Sequence, residues 1–272
     1  MRLSDQHIHS AASPDSQVPM RLMAEAARDH GLSMVCFTDH VDMDDDRTGR
    51  VTTQWRERLR RSQEQREEIK AHPPEGIEVR FGMELGAASH DPASAAVAAA
   101  DPELDFVLGS LHNLRNEEDF YFRHYGPRYP CRELNRRYLR ELIELTESKT
   151  FDVMAHVGYT ARYMHRDGAE DGDITPEFFG DELTELFTRL IQQGRGIEVN
   201  VSGLRCGHTT YPTVSCLRLY RQLGGELITV GSDAHTQKDA GIGVREGYDI
   251  LRALGFRYVA EYRHRKPELL PL

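Results

Sequence analysis

The chain has 272 residues, 39% of them hydrophobic and 29% charged, a size that suits one large α/β domain or two small ones and argues against long disordered stretches. Its net charge of −10 speaks against a broad basic face, so no nucleic-acid partner is expected. No apolar run approaches the roughly 20 residues of a membrane span, and the N-terminal stretch MRLSDQHIHS lacks a signal-type apolar segment; the expectation is a cytoplasmic protein with no membrane partner, its oligomeric state left open.

Taken in chain order, short apolar runs alternate with amphipathic ones. Arg2–His7 reads as a strand, and residues 20–31 as a helix with Gly31 placed as its C′ residue. Ser33–Thr38 is the second strand. The helix over 53–71 carries RERLRRSQEQREEIK, whose mixed charges, with Glu57 and Arg61 at i,i+4, describe a solvated face. Ile77–Met83 and Asp105–Ser110 follow as strands, with an alanine-rich helix over 93–100 between them. The stretch 113–132, NLRNEEDFYFRHYGPRYPCR, reads as an inserted loop that lids the site, with Tyr121, Phe122 or Tyr125 free to stack on a ligand ring. A helix over 133–148 leads to the strand Phe151–Ala155. A long helix then has Thr175 as N-cap and Pro176 at N1, and ends at Gly194. Gly196–Val201, a helix over 213–223, Glu226–Gly231, a helix over 244–254 and a short strand Arg257–Val259 complete the chain.

About seven strands, each followed by a helix, imply a parallel sheet covered by helices. With no sign of a domain break over 1–272, a closed α/β barrel is expected rather than an open sheet. Cys36, Cys131, Cys206 and Cys216 show no CxxC spacing, which reads as reduced thiols.

The 13 histidines are placed unevenly. His7 and His9 end the first strand, Asp39 and His40 the second, Glu84 the third, His112 the fourth and His156 the fifth. Glu198, Asn200 and Ser202 end the sixth, and Asp233 and His235 the seventh. In α/β barrels the C-terminal ends of the strands carry the active site. One histidine at a strand end is ordinarily a hydrogen-bonded structural residue; the same pattern at every strand end is not explained that way. Imidazoles and carboxylates without thiolates suit Zn²⁺, Mn²⁺ or Fe²⁺. His7 and His9, at i and i+2, project to one strand face and can share one ion. The candidates outnumber the roughly four to six ligands that one ion takes, which implies several ions with a carboxylate such as Glu84 as bridge. His30, His72, His90, His124, His165, His208 and His264 lie in expected helices or loops and read mostly as surface residues.

The series HIH, TDH, a lone Glu, a His after GS, another lone His and SDAH resembles the PHP (polymerase and histidinol phosphatase) superfamily over nearly the whole chain. The stretches HIHSAASPDS and IEVNVSGLRCGHTTYP…GELITVGSDAH are similar to its histidinol-phosphatase-like branch. The resemblance implies a distorted (β/α)7, TIM-like barrel with three divalent metal ions at the C-terminal ends of the strands. By that likeness the first ion takes His7, His9, Glu84 and Asp233, the second Glu84, His112 and His156, and the third Asp15, His40 and His235. Some relatives carry histidine where this chain has Asp15. Asp39 is assigned a supporting role, orienting an imidazole.

Clustered divalent metals clamp phosphoryl oxygens and acidify a shared water for in-line attack. Arginine forks then neutralise the phosphoryl group, and Arg162 and Arg205 are the candidates, both for catalysis and for substrate binding. Asn200 and Ser202 are expected to line the substrate pocket. The proton donor is left open between His208 and a metal-held water. The leading reading is a phosphoric monoester hydrolase of histidine biosynthesis, acting on L-histidinol phosphate, a small-molecule phosphoester. A phosphatase or phosphodiesterase for nucleotides, cyclic phosphates or sugar phosphates is the alternative, and a non-catalytic metal-binding module is the third.

Overall fold

The computed structural model describes residues 2–272. Strands β1 (Ser4–Ile8), β2 (Met34–Phe37), β3 (Glu78–Gly86), β4 (Phe106–Ser110), β5 (Val153–Met154), β6 (Gly196–Asn200) and β7 (Ile228–Gly231) lie side by side in sequence order. All neighbouring pairs are parallel. The end of β7 returns to β1: Asp233 N donates to His7 O at 2.7 Å, and His9 N donates to Ala234 O at 3.0 Å. The expected barrel is therefore nearly closed. Around it run α1 (Met20–Asp29), α2 (Trp55–Ala71), α3 (Pro92–Ala98), α4 (Cys131–Leu145), α5 (Tyr159–Arg166), α6 (Pro176–Gln192), α7 (Val214–Gln222) and α8 (Val244–Ala253). None of the described helices is long and apolar enough to cross a membrane.

Strand parity divides the apolar residues. Val35, Phe37, Val107, Met154, Ile197 and Val230 face outward and pack with the helices. Their neighbours Met34, Cys36, Phe106, Leu108 and Val153 form a second cluster, inside the barrel. That inner cluster is completed from an unexpected source, Ala260 and Tyr262. They belong to an antiparallel hairpin, β8 (Tyr258–Arg263) and β9 (Lys266–Pro271). The hairpin replaces the short strand expected at Arg257–Val259 and lies at the bottom of the barrel. Tyr262 N donates to Gln6 Oε1 at 3.1 Å, and Arg80 donates to Tyr262 O at 2.8 Å. Its turn places His264 and Arg265 at φ 48° and 64°, values usually taken by Asn-Gly in a two-residue hairpin, so the local sequence carries no turn signal.

β1 contains an irregularity with consequences for the site. Asp5 pairs with Val35 and Ile8 with Phe37, so three steps on β1 match two on β2, as in a bulge. Gln6 is thereby spent on the bottom hairpin, while His7 and His9 remain for the top.

Two further differences concern the chain after β4 and β5. The stretch 113–132 is a packed wall rather than a free lid. Phe120 and Tyr125 are fully buried, Phe120 N donates to His112 O at 3.0 Å, and Tyr125 Oη donates to Phe120 O at 3.1 Å. Tyr125 is thus a core residue with no ring free for stacking on a ligand. The helix α5 was not anticipated; it spans only Tyr159–Arg166, opens at Gly158 with φ 111°, and buries Tyr159, Tyr163 and Met164.

Candidate metal centre

Barrel closure and strand parity bring the polar strand ends together. His7 Nε2 lies 3.1 Å from His9 Nε2 and 3.4 Å from Glu84 Oε2. His9 Nε2 lies 3.7 Å from Glu84 Oε2 and 3.4 Å from Asp233 Oδ1, and His7 Nε2 lies 3.8 Å from that same Asp233 oxygen. A tetrahedron with metal–ligand bonds of ~2.0–2.2 Å has edges of about 3.3–3.6 Å. Ligand-type atoms of His7, His9 and Asp233 thus lie close enough together to hold one divalent ion, with Glu84 Oε2 beside both imidazoles.

The other Glu84 oxygen, Oε1, is 2.7 Å from His156 Nε2 and 3.0 Å from His112 Nε2. At the rim, Asp15 Oδ2 is 3.0 Å from His235 Nε2 and 3.6 Å from His40 Nε2. His9 is stacked on both rim rings, with centroids 4.1 Å from His235 and 4.4 Å from His40. His40 Nδ1 also reaches to 3.0 Å from Glu84 Oε2, so His40 touches both the rim group and the central carboxylate. Ligand-type atoms of His9, His40 and His235 lie close enough to hold one ion, as do those of His40, Glu84 and His112. Among the described residues, the buried Glu84 Oε2 has no hydrogen-bond partner, although three imidazole nitrogens face it. A bound cation answers that deficit, and the residues present fit one.

Partners behind the rings fix their orientation. Asp42 Oδ1 is 3.0 Å from His112 Nδ1. Ser13 Oγ is 3.0 Å from His9 Nδ1 and donates to Asp39 Oδ1 at 2.7 Å. Asp39 also accepts from Ser10 N and Ser10 Oγ, so it orients an imidazole through Ser13. Asp233 sits at φ 54°, a costly region for a residue other than glycine. Its strained backbone is tied by the bond to His7 O and its side chain by Arg162, whose guanidinium donates to Oδ2 at 2.8 Å.

The electrostatics follow from this crowding. Burial alone pushes the Glu84 carboxyl up, but the imidazoles of His112, His40 and His7 outweigh it and hold the group well below the carboxylate range. Asp233 is likewise lowered, burial being overcome by Arg162 and His7. Burial, reinforced by His235 and His40, drives His9 down to about 3, which keeps its ring in the neutral, ligating form. His112 moves the other way, to about 10, because Glu84 and Asp42 outweigh burial; a cation taken up at Nε2 would displace that proton.

Two adjoining cavities of about 320 Å³ each open over the cluster. One is lined by His40, Glu84, His112, His156 and Asp233, together with Arg162 and Arg205. Arg205 is aimed by backbone carbonyls, donating to Ser232 O at 2.5 Å and Asp233 O at 3.3 Å. The other is walled by Asp42, Asp44, Asp46 and Asp119, by Arg58, and by Tyr121, Phe122, Tyr159 and Tyr163.

Three expected site residues stand elsewhere. Asn200 is fully buried and lies behind the candidate ligands, its amide 3.3 Å from both Glu198 Oε2 and Asp233 Oδ2. Ser202 is buried at the start of a 3₁₀ turn, Ser202–Cys206. Neither lines a cavity at the metal cluster. The same turn carries His208 outward, where its ring stacks on His165 at 4.5 Å, away from both cavities. Conversely, Asp42, Asp119, Tyr159 and Tyr163 line the cavities without being among the expected site residues, and Arg58, in the run that reads as a solvated helix face, is instead paired with Asp42 in the cavity wall. Asp42, two residues after His40, was the accessible clue, since a carboxylate beside a ligating histidine is the usual partner of such rings.

Residues 5–202 match the family model described as PHP domain. Among curated relatives, a probable histidinol-phosphatase of Thermotoga maritima is 24% identical over 257 residues, covering 94% of each chain. The histidinol-phosphatase of Lactococcus lactis subsp. lactis is 25% identical over 269 residues, covering 96% of this chain and 95% of the relative. Among solved structures, histidinol phosphate phosphatase from the same Lactococcus, complexed with zinc, L-histidinol and phosphate, superposes with a TM-score of 0.79 at 23% identity, over 98% of this chain and 99% of that one; at that identity the likeness concerns the fold.

Proposed function

The chain belongs to the PHP domain family, and on that premise we propose that it is a metal-dependent phosphoric monoester hydrolase that converts L-histidinol phosphate to L-histidinol and phosphate. The proposal takes three ions, Zn²⁺, Mn²⁺ or Fe²⁺, held by His7, His9, Glu84 and Asp233, by Glu84, His112 and His156, and by Asp15, His40 and His235. Divalent ions there supply Lewis-acid neutralisation of phosphoryl charge and acidify water for attack on phosphorus.

The rest of the chemistry belongs to the chain. Arg162 and Arg205 line the cavity over the cluster and suit the remaining phosphoryl oxygens as charged donors. Relatives named histidinol-phosphatase support the substrate. The observation that carries it is the neighbouring cavity. Asp42, Asp44, Asp46 and Asp119 gather carboxylates there beside Tyr121, Tyr159 and Tyr163. Histidinol phosphate presents a phosphate at one end, and an ammonium group and a flat, protonatable imidazole at the other. That match of an anion site with an adjoining acidic, aromatic wall suits it better than a sugar phosphate or a nucleotide, neither of which brings a cation.

The test is phosphate release by metal-loaded protein from L-histidinol phosphate and from a panel of nucleotides, sugar phosphates and cyclic diesters. The expected result is a kcat/KM for histidinol phosphate at least tenfold above every other ester. Faster turnover of a neutral or nucleotide ester overturns the substrate assignment.

A further inference from the structure

Every barrel strand except β6 delivers one of the proposed ligands. What β6 delivers instead is Glu198 and Asn200, both buried in the barrel beneath the cluster. We propose that Glu198 is a positioning residue of the metal centre: it selects the tautomer of His7 and, through Asn200, ties three ligand-bearing strands together. The inference rests on the metal sites proposed above and is independent of which phosphoester is cleaved.

Both Glu198 oxygens are committed. Oε1 lies 2.7 Å from His7 Nδ1. Oε2 accepts from His156 N at 2.8 Å and lies 3.3 Å from Asn200 Nδ2. The Asn200 amide also reaches Asp233 Oδ2 at 3.3 Å, and its Oδ1 accepts from Ser202 N at 3.1 Å. One side chain thereby touches the ring of a β1 residue and the backbone of a residue after β5, and through one intermediary a carboxylate after β7. Glu198 does not face the ion position itself, because it meets His7 on Nδ1, the ring nitrogen opposite the one that faces His9, Glu84 and Asp233.

An ionised carboxylate only accepts hydrogen bonds. The His7 ring therefore carries an N–H on Nδ1 toward Glu198 Oε1, and with a cation at its other nitrogen the Nε2 lone pair would be directed into the cluster. The space for this pair is made by Gly231 on β7, where a Cβ would overlap both Glu198 Oε1 and His7 Cβ. Gly231 is thus the cradle of the His7–Glu198 contact, a requirement of close approach rather than of turn geometry.

The test measures metal binding without substrate. In Glu198→Gln, one end of the side chain becomes an NH₂ donor. Turned toward His156 N, it opposes another donor; turned toward His7, it forces the proton onto Nε2, the metal-facing nitrogen. The expected result is a 10- to 100-fold weaker zinc affinity in competition with a chromophoric chelator, with the far-UV circular dichroism of the metal-free protein unchanged. Gly231→Ala, which keeps the carboxylate but fills its cradle, should lose affinity to a similar degree. If either variant fails to fold, the wild-type protein still decides the matter. With ¹⁵N-labelled histidine, zinc-loaded protein should show His7 protonated at Nδ1 with Nε2 shifted by the metal. A proton on Nε2, or Glu198→Gln zinc affinity within twofold of wild type, overturns the proposal. A histidinol-phosphate assay that fails while these results hold refutes only the substrate.

Discussion

Asp42 links the histidine–carboxylate cluster to the acidic cavity: one oxygen is 3.0 Å from His112 Nδ1, and the other takes the guanidinium of Arg58. Burial alone raises this carboxyl, but Arg58 and His112 hold it down at about 2, so it stays ionised while its imidazole partner is pushed up to about 10. Asp42→Asn keeps the shape and removes the charge. It should cost about 10- to 100-fold in zinc affinity or in kcat/KM, as for other carboxylate–histidine pairs at metal sites, and raise KM as well, because Arg58 is left without its partner in the cavity wall. Steady-state kinetics at saturating metal and chelator titration check this; values within twofold of wild type count against the link.

Asp233→Asn tests the cluster with the least disturbance to the fold. Asparagine tolerates the left-handed backbone that Asp233 adopts at φ 54°, so the barrel closure through His7 should survive. What goes is a carboxylate lying 3.4 Å from His9 and 3.8 Å from His7. Turnover should fall by roughly 10³-fold or more, the several kcal/mol that metal-borne charge stabilisation is worth, and bound metal per chain should drop by elemental analysis. His7→Ala should do the same. A near-normal rate in either variant removes these residues from the ligand set.

How far the sequence discloses this architecture depends on the range of the interactions involved. The barrel and the gathering of His7, His9, His40, Glu84, His112, His156, Asp233 and His235 at one end are readable because each is local: a strand, its parity and its last residue. The bottom hairpin is unreadable because its turn uses His264 and Arg265 at positive φ rather than Asn-Gly. Asn200 and Ser202 stand apart from both cavities because an in-facing residue near a strand end can be buried against the back of another strand-end side chain. His208 misleads because a 3₁₀ turn, Ser202–Cys206, leaves no periodicity by which to judge direction. The acidic cavity joins Asp42 and Arg58 to Asp119 and Tyr163, which are remote in sequence, and only tertiary packing unites them.

Arg205 and Arg162 should differ in kind although both line the same cavity. Arg162 is paired with Asp233 Oδ2, so its loss also releases a proposed ligand. Arg205 is held by the carbonyls of Ser232 and Asp233, and among the described residues its carboxylate neighbour is Asp239, at 3.9 Å. Arg205→Ala should lower kcat/KM by about 10²-fold or more, the usual cost of a lost transition-state charge donor, with metal content unchanged. Arg162→Ala should lower both activity and metal affinity. An unchanged kcat/KM in Arg205→Ala takes that residue out of the site.

Asp119 should read the cationic end of the substrate. It lines the acidic cavity and, among the described residues, its side chain accepts from the nearby Tyr121 N through Oδ1 at 2.7 Å. A hydrogen bond to a charged group is worth about 1.5–3 kcal/mol, so Asp119→Asn should raise KM for histidinol phosphate by roughly 10- to 100-fold. Hydrolysis of a neutral aryl phosphate, which brings no cation, should change less than threefold. Equal losses on both esters mean that Asp119 acts on the fold or the metals and not on the substrate.

His90, expected at the surface, is buried and should make stability depend on pH. Its Nδ1 is 2.7 Å from Asp44 and its Nε2 3.2 Å from Glu141, and Asn113 donates to the same Asp44 oxygen at 2.8 Å. The contact therefore pins the chain just after His112. Burial lowers the imidazole, but Asp44 and Glu141 outweigh it and raise it above the ordinary value. A histidine raised on folding stabilises fully below its unfolded pKa of about 6.5, and the contribution is lost as pH climbs through the folded value. His90→Gln should consequently cost about 1–3 kcal/mol at pH 6, where charge-assisted bonds are removed, and less at pH 9. Urea unfolding of metal-loaded wild type and variant at both pH values isolates this group, because the metal ligands are common to the two proteins. A difference that stays flat or widens with pH contradicts the charged state assigned to His90.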